Sequence, residues 1–234
     1  MLTERKSNLL NTVILEHIKN AHPVGSEAVV DKYKFDISPA TIRNEMMDLE
    51  KEGFLYQPHT SAGRVPTEKG WRFYLDNFLK EARIKKKDQE ILAKLLSAGQ
   101  HSSEEVLKSL AKELAELSKE SVIVSFSPEN IYYTGLTHLF SKPEFSKLDL
   151  ICHISEVVDH LDEVINKLFN KIDFKTKILI GKENPFGEEC GVILTKYKIK
   201  NEKEGMLGIL GPIRQHYQNN IALLKYSQEL LSKV

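Results

Sequence analysis

The stretch SPATIRNEMMDLEKEGFLYQPHTSAGRVPTEKGWRFYLD, Ser38 to Asp76, decides the reading of this 234-residue chain. Ser38 is a favoured N-cap, and Pro39 falls at the first helical position, where its missing N–H costs nothing. Gly53 ends the helix as a left-handed C-terminal residue. At roughly 100° per residue, Ile42, Met46 and Leu49 share one face. The opposite face carries Ala40, Asn44, Met47 and Lys51, flanked by Thr41 and Arg43. Small, amide and basic groups in that pattern suit a major groove better than a protein core. Phe54 to Gln57 alternates as a strand, Val65 lies in a return strand, and Pro58 to Arg64 forms a polar, turn-rich tip between them. Thr67 caps a further helix expected to run to about Ala82, with Trp71, Tyr74, Leu75 and Phe78 as its packing face. Helix, hairpin and helix in this order are the layout of a winged helix-turn-helix.

Upstream, Leu9, Leu10, Val13, Ile14 and Ile18 recur at helical spacing between Thr3 and Asn20. His22-Pro23 stops that helix, and Val24-Gly25-Ser26 turns the chain. Ser26 is the expected N-cap of a second helix, Glu27 to Lys34, burying Val29, Val30 and Tyr33. Phe35-Asp36-Ile37 leans towards a strand.

Downstream, Lys80 to Lys87 (KEARIKKK) is the densest basic run. It reads as a connector, either skirting a DNA backbone or simply solvated. Two helical patterns follow, Asp88 to Ser97 and Ser102 to Lys119, the second opened by the capping box Ser102-x-x-Glu105. Leu107, Leu110, Leu114 and Leu117 form a short heptad stripe, which serves either as a dimer seam or as an internal core face. The core face is the better reading, because a sustained coiled coil needs about three to four heptads. Strand-like runs then appear at 121–126, 131–136, 177–181, 191–197 and 206–210. Helices are expected over Phe145 to Phe169, with Asp159 as a cap between two segments, and over Tyr217 to Lys233. The glycines of Gly205 to Gly211 mark strand ends in this reading. Strands set among helices in this order predict an α+β fold with a mainly antiparallel sheet.

Composition sets limits on function. Hydrophobic residues make up 41% and charged residues 28%, as in an ordinary globular protein, and the formal net charge is zero. Nothing global attracts nucleic acid, so any DNA binding must come from local placement of basic groups. Cys152 and Cys190 are far apart, which argues against a disulfide framework or cysteine zinc site and for a reducing cytoplasm. No run approaches the roughly 18 apolar residues of a membrane span, so no membrane partner is expected. No nucleophile elbow, phosphate loop, HExxH or dinucleotide fingerprint occurs, so no enzyme, metal or cofactor is expected.

Longer matches carry a resemblance. Ser38 to Met46, Gln57 to Thr67 and Gly70 to Tyr74, with Pro23-Val24-Gly25-Ser26 upstream, resemble the bacterial heat-inducible transcription repressor family, HrcA. Gly135-Leu136, Pro143-Glu144-Phe145, Ile180 to Asn184 and Gly208 to Arg214 with Tyr217 match its carboxy-terminal half. The resemblance implies a winged-helix DNA-binding domain at residues 1–80 and a helical connector at 81–120. It also implies a truncated GAF-like regulatory and dimerisation domain at 121–234. Further, it implies repression of chaperone operons from an inverted-repeat operator on double-stranded DNA, loss of activity on heat stress, and a GroEL-type chaperonin as partner. The family's usual chain is longer, with a dimerisation domain inserted in the GAF-like region. Here Leu117-Ser118-Lys119-Glu120 leads through one strand almost directly to Tyr133-Thr134-Gly135-Leu136.

These readings together predict a cytoplasmic homodimer that reads DNA. Ala40, Arg43, Asn44 and Met47 are the candidates for base edges: arginine suits guanine, asparagine adenine, alanine or methionine the thymine methyl. Gly25, Ser26, Ser38, Thr41, Lys51, Thr60, Ser61 and Arg64 are candidates for phosphates, with His59 beside them at the tip. Two other functions fit the same residues. One is a winged-helix repressor released by a small molecule. The other is an adaptor that uses the winged helix to dock proteins and binds no DNA.

Overall fold

A computed structural model describes residues 2–33, 38–97, 102–146, 148–200 and 204–233. The chain divides into two compact units, Met1–Lys80 and Glu81–Val234. The first begins with α1 (Glu4–Asn20), capped by the Thr3 hydroxyl and closed by Ala21 in the left-handed region at φ 59°. Then come α2 (Ser26–Tyr33) and α3 (Pro39–Lys51). A two-stranded hairpin, β1 (Leu55–Tyr56) with β2 (Val65–Pro66), leads into α4 (Glu68–Asn77). Leu9, Leu10, Val13, Ile14, Val29, Ile42, Leu49 and Trp71 fill the core between them.

Ser26 opens α2 as a helical residue rather than preceding it as a cap. The strand-leaning Phe35-Asp36-Ile37 lies outside the described residues. Helix α4 starts at the Thr67 cap as expected but stops at Asn77, five residues short of Ala82. Phe78 leaves helical geometry at φ −120° and packs its ring against Phe73 at 6.3 Å. Aromatic packing there overrides a sequence with no glycine or proline to end the helix.

The second unit holds α5 (Lys86–Ser97) and α6 (Ser103–Ser118), with the Ser102–Glu105 capping box present. A five-stranded antiparallel sheet follows, in the order β4-β3-β7-β6-β5. Its strands are β3 (Ser121–Ser125), β4 (Ile131–Thr134), β5 (Lys177–Ile180), β6 (Cys190–Lys198) and β7 (Glu204–Pro212). Helices α7 (Leu136–Phe140), α8 (Leu148–Asp159) and α9 (Leu161–Phe169) lie between β4 and β5, and α10 (Tyr217–Leu231) ends the fold. Residues 81–120, expected as a connector, pack with this sheet: α6 lies on β3, and α5 and α6 both meet α10. Leu107, Leu110 and Leu114 are buried in that packing. Within the basic run, Ile84 is buried as well.

The sheet is covered on both sides. Ile123, Val192, Leu194, Met206 and Leu210 join Leu139, Phe145, Ile154, Ile165 and Leu168 in one cluster. The alternate positions Val122, Val124, Ile193, Leu207 and Ile209 are buried too, on the side of α6 and α10. A strand buried on both faces reads as a continuous apolar run, which is how these strands appear in the sequence. Two local expectations change. Asp159 is the last residue of α8, not a cap, and α9 follows His160 with no side-chain cap. Gly205, Gly208 and Gly211 lie inside β7 rather than at its ends. The Tyr197 ring and the Glu120 carboxylate occupy the space where side chains at 205 and 211 would stand.

Candidate nucleic-acid interface

The candidate surface is built on α3. The Ser38 hydroxyl accepts the Thr41 N–H at 3.2 Å, satisfying a backbone donor at the helix start, while Pro39 takes the first turn. At the other end Gly53 sits at φ 78°. Its N–H reaches the Glu50 carbonyl and that of Phe54 reaches the Leu49 carbonyl, both at 2.9 Å. That pairing is a Schellman closure, which requires a left-handed residue at the glycine. Lys69 Nζ donates to the Glu52 carbonyl at 2.7 Å and lies 4.3 Å from the centre of the Phe54 ring. A cation thereby meets the negative end of the helix.

The rotational reading of α3 holds in detail. Ile42, Met46 and Leu49 are buried, and Met47 is 40% exposed beside the exposed Ala40, Arg43, Asn44 and Lys51. Thr41 is half-buried, with its hydroxyl 3.0 Å from that of Ser38.

Glu45 is a residue the sequence reading overlooks. It is buried, and it pairs with Arg5 of α1. The other acids nearby are paired as well. Asp48 meets Lys6 at 3.2 Å and Lys51 at 3.8 Å. Glu52 meets Lys6 at 2.9 Å, and Glu50 meets Arg64 at 2.9 Å. The hydrogen bonds that the Lys6 ammonium donates to Glu52 and Asp48 hold it above its ordinary pKa. Every carboxylate from Glu45 to Glu52 thus has a cation from another element beside it. The outward face of α3 keeps Arg43 and Lys51 as exposed cations, with Glu27 of α2 the exposed acid at the concavity.

The hairpin tip is fixed by its own polar groups. Gln57 Nε2 donates to the carbonyls of Thr60 and Ala62, both at 2.9 Å, and the Ala62 N–H donates to the His59 carbonyl at 2.8 Å. His59 Nδ1 lies 3.2 Å from the Ser61 hydroxyl. The tip is tied to the turn before α2 by an antiparallel bridge, with the Val24 and Arg64 backbones exchanging two hydrogen bonds of 2.9 Å.

A concavity of about 540 Å³ lies between the start of α2, the outer face of α3 and this tip. Gly25, Ser26, Arg43, Met47, Thr60, Ser61 and Arg64 are brought together around it. Ser38, Ala40, Thr41, Asn44, Lys51 and His59 do not line it: they lie along α3 or at the tip apex. Two expected contacts differ in posture. Ser26 is buried, and Arg64 turns its guanidinium back onto Glu50 rather than outward, with 13% of its side chain exposed. Glu27, Gln57 and Gly63 also line the concavity. Of these, Gln57 has a signal in the sequence, since an amide at the base of a turn-rich loop is suited to holding that loop's carbonyls.

No helix among the described residues is long and apolar enough to cross a membrane.

Comparison with known proteins gives consistent likenesses. The family profile described as "HrcA protein C terminal domain" matches residues 70–221. The heat-inducible transcription repressor HrcA of Carboxydothermus hydrogenoformans is 24% identical over 336 aligned positions, covering 100% of this chain and 98% of that protein. That of Natranaerobius thermophilus is 29% identical over 325 positions, covering 95% and 94%. Alignments of that length on a 234-residue chain leave part of each relative with no counterpart here. Among solved structures, the crystal structure of a hypothetical protein matches with a TM-score of 0.77 at 21% identity, covering 99% of this chain and 97% of that one. This last likeness speaks for the fold alone.

Proposed function

The chain belongs to the HrcA family, and on that premise we propose that it represses transcription by binding double-stranded DNA through a winged helix-turn-helix in its first unit. In this reading α3 is the recognition helix and the β1–β2 hairpin is the wing. Arg43, Asn44, Ala40 and Met47 meet base edges, with arginine suited to guanine and asparagine to adenine. Gly25, Ser26, Ser38, Thr41, Lys51, His59, Thr60 and Ser61 serve the sugar–phosphate backbone. The observation that carries the reading is the pairing of Glu45, Asp48, Glu50 and Glu52 with cations, beside an outward face of Ala40, Arg43, Asn44 and Met47. Unpaired, those carboxylates would repel phosphate.

The finer reading follows the family. The second unit is a GAF-like regulatory and dimerisation domain, and the protein acts in the cytoplasm as a homodimer on an inverted repeat. A two-fold protein requires a two-fold site. The controlled genes are those of heat stress, and a GroEL-type chaperonin maintains the active fold. Proteins are stable by only about 5–15 kcal/mol, so warming alone can withdraw a weak fold. The test is a salt titration of binding to an inverted-repeat duplex selected from a random pool, against a scrambled duplex, with particle mass measured in parallel. The expected result is a steep salt dependence, a preference for the inverted repeat and a dimer mass on it. Equal, salt-independent binding to both duplexes would sink the proposal.

A further inference from the structure

Arg64 joins three parts of the first unit. Its backbone pairs with Val24 ahead of α2, it immediately precedes the return strand β2, and its Nε stands 2.9 Å from Glu50 Oε2 on α3. The approach is a close ion pair rather than an aligned hydrogen bond. Arg64 is largely shielded, at 13% exposure, and Glu50 is half-buried, at 34%. A partly shielded pair loses more on breaking than a fully exposed one, because the buried Arg64 Nε would be left without its counter-charge.

We infer that Arg64 is a positioning residue: through Glu50 it latches the hairpin tip to α3 and neutralises that acid of α3, and it makes no phosphate contact of its own. The inference rests on the DNA-binding reading above. With Nε on Glu50 and 13% of its side chain exposed, Arg64 offers little of its guanidinium outward, and swinging it out to a phosphate would strip Glu50 of its cation. Latched, Arg64 sets the separation between Thr60 and Ser61 on the tip and Arg43 and Met47 on the helix. Tip and helix must both fit the duplex at once, so that separation governs discrimination more than raw attraction.

The experiment uses the full chain with Glu50→Gln, Arg64→Gln and the double variant. The probes are the tightest duplex that the wild type selects from a random pool, and a scrambled duplex of equal composition. Each single variant is expected to reduce the preference for the selected duplex by about tenfold, the double variant to be no worse than either single one, and the salt slope of Arg64→Gln to stay at the wild-type value. If Arg64→Gln instead weakens both duplexes alike and lowers the salt slope by about one, while Glu50→Gln binds more tightly, Arg64 is a phosphate contact and the inference is overturned. Amide hydrogen exchange without DNA decides the latch independently. Glu50→Gln should speed exchange at residues 59–64 at least tenfold, leaving α1 unchanged. Unaltered exchange at the tip overturns the latch whatever the duplexes do. A wild type with no duplex preference defeats the DNA reading, and the exchange arm still decides whether Arg64 holds the tip.

Discussion

Gly63 lies so close to Val24 that a Cβ added at position 63 would stand 2.4 Å from both the carbonyl carbon and the carbonyl oxygen of Val24. The obstacle is backbone, and it is pinned on both sides by the Val24–Arg64 hydrogen bonds. Gly63→Ala must therefore push the tip away from the turn before α2. Overpacking of this kind typically costs about 1–3 kcal/mol. Chemical denaturation of the first unit should register that loss, together with weaker duplex binding. A variant as stable as the wild type would mean that the tip is not held against Val24.

Arg43 is an exposed cation of the outward face of α3 and lines the concavity. If it reads a base, Arg43→Ala should cost about 1–3 kcal/mol and relax preference at one operator position. Selection of duplexes by the variant from a random pool shows which position relaxes. The same consensus at undiminished affinity would remove Arg43 from the base-reading set.

Ser38 caps α3 through the Thr41 N–H at 3.2 Å. Replacing such a cap by alanine costs about 1 kcal/mol of stability. Ser38→Ala should lower the denaturation midpoint accordingly, whereas Ser38→Asp, which retains an acceptor and adds favourable charge at the helix start, should preserve it. Equal loss in both variants would argue that the hydroxyl acts in another way.

In the second unit Glu120 is buried with its carboxylate 3.1 Å from Lys142 Nζ. Burial pushes this carboxyl up to about 7, against the opposing pull of Lys142 and Arg214. Since the folded value exceeds the unfolded one, the folded state binds the extra proton. The contribution to stability is then full below the ordinary carboxylate value of 4.5 and is lost as pH rises through about 7. The expected loss is on the order of 2–3 kcal/mol between pH 4.5 and 8. Glu120→Gln should flatten that slope and leave the protein more stable than the wild type at pH 8. Parallel pH–stability curves for the two chains would contradict this.

Much of α3 is legible in the sequence because its signals are local. Ser38-Pro39 and Gly53 punctuate the helix, and rotation alone separates two identical neighbours, Met46 inward and Met47 outward. The capping box at Ser102–Glu105 is legible for the same reason. What escapes the reading depends on residues distant in the chain. Nothing near position 64 announces Glu50, nothing near Glu45 announces Arg5, and nothing in KEARIKKK says that Ile84 turns inward. The end of α4 escapes because Phe78 leaves the helix to pack, where neither glycine nor proline marks the stop. The glycines of β7 mislead because Gly205, Gly208 and Gly211 make room for Tyr197, Leu194 and Glu120, which come from elsewhere in the chain.

The sheet order has a consequence for how the second unit is made. Strand β7 pairs with β3 on one side and β6 on the other, yet it is the last strand in the chain. Until it enters, β3–β4 and β5–β6 are separate hairpins whose inner edges are unpaired and whose two faces are both greasy. Such a species is slow to complete and prone to self-association. Refolding yield should therefore fall as protein concentration rises, and a chaperonin that encloses single chains should restore it. A yield independent of concentration would show that the strands assemble faster than chains meet.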